Sequence, residues 1–187
     1  MRGQGLAVLL VVAVLFSGAC SGGGQGGPNA PTRPLPSWSG HGAELFDDVI
    51  EPSAVGMDLQ KSSVPKSDPV LRERAQTSDA VLRVKVTTVT AKLAGPDAVY
   101  QLGLHTVEKL SAKEPPGDDF TVTITKASDS HGIMKSFENR LVGYPFVAFV
   151  REFVRSDGDR EIHFHLAPDT KEVKSAVGDA VLLGELK

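Results

Sequence analysis

Four stretches between residues 80 and 169 alternate apolar and polar side chains, and this period of two limits the possible folds more than any other feature. In one of them Phe120, Val122 and Ile124 alternate with threonines. Successive side chains of a strand point to opposite faces, so each alternating stretch predicts a β-strand with one buried face, and a fifth stretch, PFVAFVREFV, predicts a strand that is apolar on both faces. The stretches are AVLRVKVTTVT, VYQLGLHTVEKL, DFTVTITKA, PFVAFVREFV and REIHFHLAPD. The sequence therefore predicts a mainly β domain of antiparallel strands.

The segments between these strands contain residues typical of turns and one helix. Turn residues lie at 94–97, 115–118 and 156–159. Between the third and fourth strands, HGIMKSFENRLVGYP places Met134, Phe137 and Leu141 on one helical stripe, with Gly143 in the terminator position. The predicted order is strand, strand, strand, helix, strand, strand.

This order is similar to that of the OB-fold, and the resemblance covers roughly residues 77 to 170. It implies a five-stranded antiparallel Greek-key barrel with a helix between strands 3 and 4. The stretch TSDAVLRVKV also resembles the netrin-like and metalloproteinase-inhibitor variant, whose inhibitory cysteine and disulfides are absent here, so no inhibitory function is implied. A lipocalin-like or sandwich packing of the same strands is the alternative. The tail from Val173 is expected to close one barrel end as a last strand or a short helix.

Two short helices are predicted before the barrel. AELFDDVI, at residues 43–50, has an apolar side and ends before Pro52. A second helix is predicted to begin at Asp68, because Asp is a good N-cap and Pro69 suits the first helical position. We therefore divide the folded part into a helical extension at 43–76 and the barrel domain at 77–187.

The amino terminus resembles that of a bacterial lipoprotein. Arg2 precedes an apolar run of about eleven residues, Leu6–Phe16, which is too short for a membrane-spanning helix of ~20 residues. The run leads into Ser17-Gly18-Ala19-Cys20, which is similar to a lipobox except that Ser17 stands where leucine is usual. The resemblance implies removal of the signal peptide 1–19 and acylation of Cys20, the only cysteine. Ordinary secretion, with cleavage near Ala19, is the alternative.

The segment after Cys20 has the composition of a tether. Residues 21–42 are rich in Gly, Pro and Ser and poor in apolar side chains, so they bury too little surface to repay the entropy of ordering. Trp38 is the exception, and could dock on the domain or on lipid headgroups. Ser21 stands where aspartate is the inner-membrane retention signal, which resembles lipoproteins of the outer membrane. We thus expect a lipidated tether at 20–42 that joins the domain to a bilayer.

Charge and motifs exclude several function classes. Loss of Arg2 with the signal peptide changes the net charge from −3 to −4, which argues against a nucleic-acid partner. The chain has no GXSXG elbow and no phosphate-binding glycine loop, and no catalytic residue or cofactor is predicted. The sequence therefore predicts a non-enzymatic binding module in the cell envelope, with a protein partner that it does not identify.

Histidines and cations on the polar sides of the strands are the candidate site residues. His163 and His165 lie two apart on one strand and share a face, which we expect to be solvated. With His105 they form an alternative hypothesis, a zinc or copper site in a metal-handling protein. The candidate binding face consists of Arg83, Lys85, His105, Lys109 and Arg151.

Overall fold

The structure is a computed structural model that describes residues 34–57, 64–94 and 97–186. The predicted signal peptide and Cys20 lie outside the described residues. The helices are α1 (His41–Leu45), α2 (Pro69–Thr77), α3 (His131–Phe137) and α4 (Lys171–Glu185). The strands are β1 (Val49–Ile50), β2 (Ala80–Ala94), β3 (Asp97–Ala112), β4 (Asp119–Ile124), β5 (Pro145–Val154) and β6 (Arg160–Pro168). Short 3₁₀ turns occur at Pro52–Val55, Pro65–Ser67 and Glu138–Arg140.

The strands form one mixed sheet of six, in the order β1-β6-β5-β2-β3-β4, and the sheet curls into a half-barrel. All neighbours are antiparallel except β1 and β6, which are parallel. The five predicted strands are confirmed, but the prediction of a five-stranded antiparallel barrel is wrong. A sixth strand joins the sheet because Val49 and Ile50 pair with β6. Register shifts in β2 mark bulges, which increase the local twist of a sheet.

The segment 43–50 begins as a helix but continues as a strand. Helix α1 ends at Leu45, and Asp48 then adopts a left-handed conformation with φ 55°. Phe46 packs on one face of the sheet and Ile50 on the other, both fully buried. A continuous helix would place these two residues, four apart, on the same side. Packing on both faces of the sheet therefore overrides the helical pattern.

One face of the sheet carries an apolar cluster that α3 covers. Leu82, Leu102 and Phe164 lie in this cluster with Met134 from α3. The predicted helix between the third and fourth predicted strands is present but shorter than predicted, since α3 ends at Phe137 and a 3₁₀ turn follows to Arg140. Gly143 therefore does not terminate the helix, although its φ of 83° is a conformation that favours glycine.

The other face carries a second apolar cluster, under α1, α2 and α4. Helix α2 begins as predicted, with Asp68 accepting the Val70 N–H at 2.9 Å. The tail forms α4, whose N-cap Thr170 accepts the Val173 N–H at 3.2 Å. This helix packs on the second face rather than at a barrel end. Both faces of the sheet are covered at β5, which explains why this strand carries apolar side chains on both sides.

Candidate functional site

Residues 34–51 form an N-terminal strap that runs along β5 and β6. The N–H of Val154 donates to Pro36 O at 2.9 Å, where the strap meets β5. Further along, the N–H groups of Asp48 and Glu51 donate to backbone carbonyls of β6 at 2.9 and 2.8 Å. The first described residues of the chain therefore belong to the packed domain, and the predicted tether 20–42 overlaps the strap.

The strap buries His163 on the face that carries the second cluster. Its Nδ1 lies 2.8 Å from Oδ2 of Asp48, and its Nε2 lies 3.0 Å from Oε1 of Glu161, in an ion-pair contact that is not an aligned hydrogen bond. The Trp38 ring stacks on the imidazole with centroids 3.8 Å apart and planes 6° from parallel. His163 is only 7% exposed, so the expectation of a solvated histidine is wrong.

His165 is buried beside it, between two carboxylates of the strap. Its Nδ1 lies 2.8 Å from Oδ1 of Asp47, and its Nε2 lies 2.9 Å from Oε1 of Glu51. A neutral imidazole carries one N–H, so both hydrogen bonds form together only when a second proton is on the ring or on a carboxylate. The expected solvent exposure is wrong here too, because this histidine is 5% exposed.

The electrostatics of the Asp48–His163 pair follow from its burial. Burial disfavours the imidazolium and lowers the pKa of His163, but the Asp48 and Glu161 carboxylates raise that pKa by more, so it lies above its ordinary value. Burial also raises the pKa of Asp48 above its ordinary value, despite the opposing hydrogen bond from His163. Each group therefore holds a proton more readily than it would in water.

Two arginines complete the contacts beneath the strap. The Arg151 guanidinium carbon lies 5.9 Å from the ring centroid of Phe46 and 5.5 Å from that of Phe153. From α2, Arg74 donates from Nε to Leu45 O at 2.6 Å and is 7% exposed. Arg151 is thus half-buried against aromatic rings beside His163, its register partner on β6.

The other candidate cations lie on β2 and β3, but not all on one face. Lys85 is the register partner of His105, whereas Lys109 is the register partner of Leu82, whose side chain lies in the first cluster on the opposite face. Three of the four cations have a carboxylate partner, in the pairs Arg83–Asp169 (2.8 Å), His105–Asp119 (2.8 Å) and Lys109–Asp118 (3.3 Å). The candidate binding face is therefore divided: Lys109 lies on the other face from Lys85 and His105, most of these cations have a carboxylate partner, and Arg151 is half-buried on a different strand.

The geometry does not favour the zinc or copper hypothesis. Strands β5 and β2 separate β6 from β3 in the sheet, and His105 contacts Asp119 on β4 rather than either β6 histidine. Three of the four ring nitrogens of His163 and His165 hydrogen-bond to carboxylates, and the fourth faces Glu161. Within the described ranges, no three His, Cys, Asp or Glu residues are placed to hold a metal ion.

Sequence reasoning missed an apolar surface on the last turns of α4. The leucine ridge consists of Leu182, Leu183 and Leu186, which are 63%, 48% and 83% exposed. A groove of about 490 Å³ separates α4 from β3, and one of about 340 Å³ separates it from α2. The sequence pattern that indicates this surface is AVLLGEL, at residues 180–186, which has more apolar residues than one buried helical stripe requires.

No helix within residues 34–57, 64–94 and 97–186 has the length and apolar character needed to cross a membrane. The chain matches no protein-family model and no curated protein.

Proposed function

We propose that this chain is a lipid-anchored envelope lipoprotein whose β domain acts as a non-enzymatic binding module. The observation that carries the proposal is Ser17-Gly18-Ala19-Cys20, directly after an apolar run too short to span a bilayer. Cys20 is the only cysteine, so it has no disulfide partner within the chain. Acylation would cap a thiol that is otherwise a liability in an oxidising compartment.

The position of the strap supports a short connection between anchor and domain. The first residue of the strap, Pro34, lies 14 residues after Cys20 in the sequence. A chain of that length spans at most ~50 Å when fully extended. A flexible Gly-rich chain of that length has a root-mean-square span of ~20 Å. The domain would therefore stay close to the lipid surface, and Ser21 favours the outer membrane over the inner one.

The surroundings of the titratable groups support binding rather than catalysis. His163 and Asp48 have raised pKa values, but the strap covers them and they contact each other. The two grooves beside α4 are lined largely by apolar and small side chains, and no histidine lines either of them. Such surfaces suit a partner recognised by shape and apolar contact.

The intact mass of the mature amino-terminal peptide from native membranes tests the proposal. We expect a diacylglyceryl-modified Cys20 as the first residue, and loss of both the modification and membrane fractionation in Cys20→Ser. Ser17→Leu is the matched control, since it restores the usual leucine and should be processed at least as completely. An unmodified terminus in the soluble fraction would contradict the lipid anchor.

A further inference from the structure

The start of the strap marks one end of the sheet, which we call the tether end. Pro36 hydrogen-bonds to Val154, the last residue of β5. In the β2–β5 register Ala80 pairs with Val150, so Val154 lies beyond the first residue of β2. The segment that carries Cys20 therefore enters the domain beside the start of β2.

The leucine ridge lies at the same end. Gln76, near the end of α2, donates from Nε2 to Ala180 O at 2.9 Å. Lys113 follows β3, and its N–H donates to Asp79 O at 2.8 Å, directly before β2. Lys113 lines the groove against α4 together with Gly184. The last turns of α4 therefore lie beside the start of β2, where the tether enters.

The surface there combines exposed leucines with charged side chains of both signs. The three leucines of the ridge are about half to four-fifths exposed, although leucine is usually buried. Lys66, Arg72, Asp68 and Asp179 line the groove on one side of α4, where Lys66 pairs with Asp179 at 3.1 Å, and Lys113 and Glu185 line the groove on the other. The charges beside the ridge therefore balance, and the exposed leucines are the feature that suits a lipid surface, because they can enter the acyl boundary while the long cationic side chains reach toward phosphates.

We infer that the leucine ridge contacts the bilayer in which Cys20 is anchored, so that the domain rests on the lipid surface by its tether end. The inference depends on the proposed lipid anchor. Three leucines that are only partly inserted bind a bilayer weakly by themselves. A tether of ~20 Å mean span makes the contact intramolecular, and the effective concentration of the domain at the lipid surface is then in the millimolar range. The tether length thus selects the bilayer as the occupant of this surface.

Two labelled variants of the full lipoprotein, purified from membranes, provide the test. Leu186→Cys and Leu93→Cys replace leucines that are 83% and 85% exposed. Leu93 lies near the tip of the β2–β3 hairpin, past Lys85, and therefore opposite the tether end. Acylated Cys20 has no free thiol, so a polarity-sensitive fluorophore marks only the introduced cysteine. The proteins are reconstituted into phosphatidylethanolamine–phosphatidylglycerol vesicles that contain a spin-labelled quencher lipid.

We expect a blue-shifted emission and several-fold stronger lipid quenching for the label at 186 than for the label at 93. Equal, water-like emission from both labels on vesicle-bound protein would overturn the inference and leave the anchor intact. A blue shift at 186 that disappears when the protein is diluted in lipid would overturn the inference, because the ridge would then contact a second copy of this chain rather than the bilayer. Failure to float with vesicles would reject the anchor, and the inference with it.

Discussion

His163 and His105 make the same contact in different surroundings. In each case Nδ1 lies 2.8 Å from an aspartate oxygen, of Asp48 and Asp119 respectively. The side chains of the first pair are 9% and 16% exposed, whereas those of the second are 49% and 76% exposed. The strap covers the first pair, and the second lies on the open side of β3 and β4. Burial is therefore the variable that separates the two pairs.

The difference shows why a distance alone does not give the energy of an ion pair. Water and salt screen an exposed pair, which contributes about 0–1 kcal/mol. A buried pair has already lost its hydration, so removal of one partner leaves the other without compensation. Trp38 stacks on the buried imidazole, which adds a contact to the first pair.

Alanine substitutions at the two histidines should separate the pairs most clearly. We expect His163→Ala to lower the free energy of unfolding by about 2–4 kcal/mol, because Asp48 stays buried without its partner. His105→Ala should cost less than about 0.5 kcal/mol, since Asp119 remains hydrated. Urea denaturation at neutral pH measures both values. Equal losses would show that burial by the strap is not what distinguishes the two contacts.

The period of two correctly predicted which residues share a face. Phe120, Val122 and Ile124 are buried as their alternation indicates. The pattern could not show that the opposite face of β5 and β6 is covered. The strap and the helices α2 and α4 provide that cover, and they come from segments before and after the five predicted strands. Alternation alone therefore predicts that the polar residues of such a strand are solvated, whereas His163 and His165 are buried.

The same limit applies to the candidate site. Alternation placed His163 and His165 on one face, which is confirmed, and the register of β5 with β6 brings Arg151 beside them. Their partners Asp47 and Asp48 lie more than a hundred residues earlier, in a segment whose local pattern indicated a helix. Periodicity reports local geometry and carries no information on such long-range pairing.

Removal of the Trp38 ring should have a smaller effect than removal of His163. We expect Trp38→Ala to lower the free energy of unfolding by about 1 kcal/mol, from lost stacking on the imidazole and from loss of the indole N–H hydrogen bond to Phe46 O at 2.8 Å. Val107→Ala is the matched control on β3, with 44% exposure against 39% for Trp38, and should cost less than about 0.5 kcal/mol. Urea denaturation followed by circular dichroism measures both, since the variant lacks the only tryptophan. Equal losses would mean that the ring contributes nothing specific to the buried pair.

The pH dependence of stability is the smallest effect that we expect from the buried His163–Asp48 pair. The pKa of His163 is raised in the folded state, so the folded protein binds this proton more tightly than the unfolded chain. Its contribution is therefore complete below the ordinary histidine pKa of about 6.5 and is lost as the pH rises through the higher folded value. Stability should fall across that window in the wild type, and the fall should be smaller in His163→Gln.

A second histidine with a raised pKa titrates in the same direction and needs its own control. His41, exposed at the start of α1, lies between Glu44 and Glu73, whose hydrogen bonds raise its pKa. We expect His41→Gln to retain most of the pH dependence, because solvent screens its contacts. Unfolding midpoints at pH 6 and above, read from Trp38 fluorescence, compare the three proteins. A fall that persists unchanged in His163→Gln but vanishes in His41→Gln would assign the pH dependence to the exposed contacts of His41 and contradict the prediction for the buried pair.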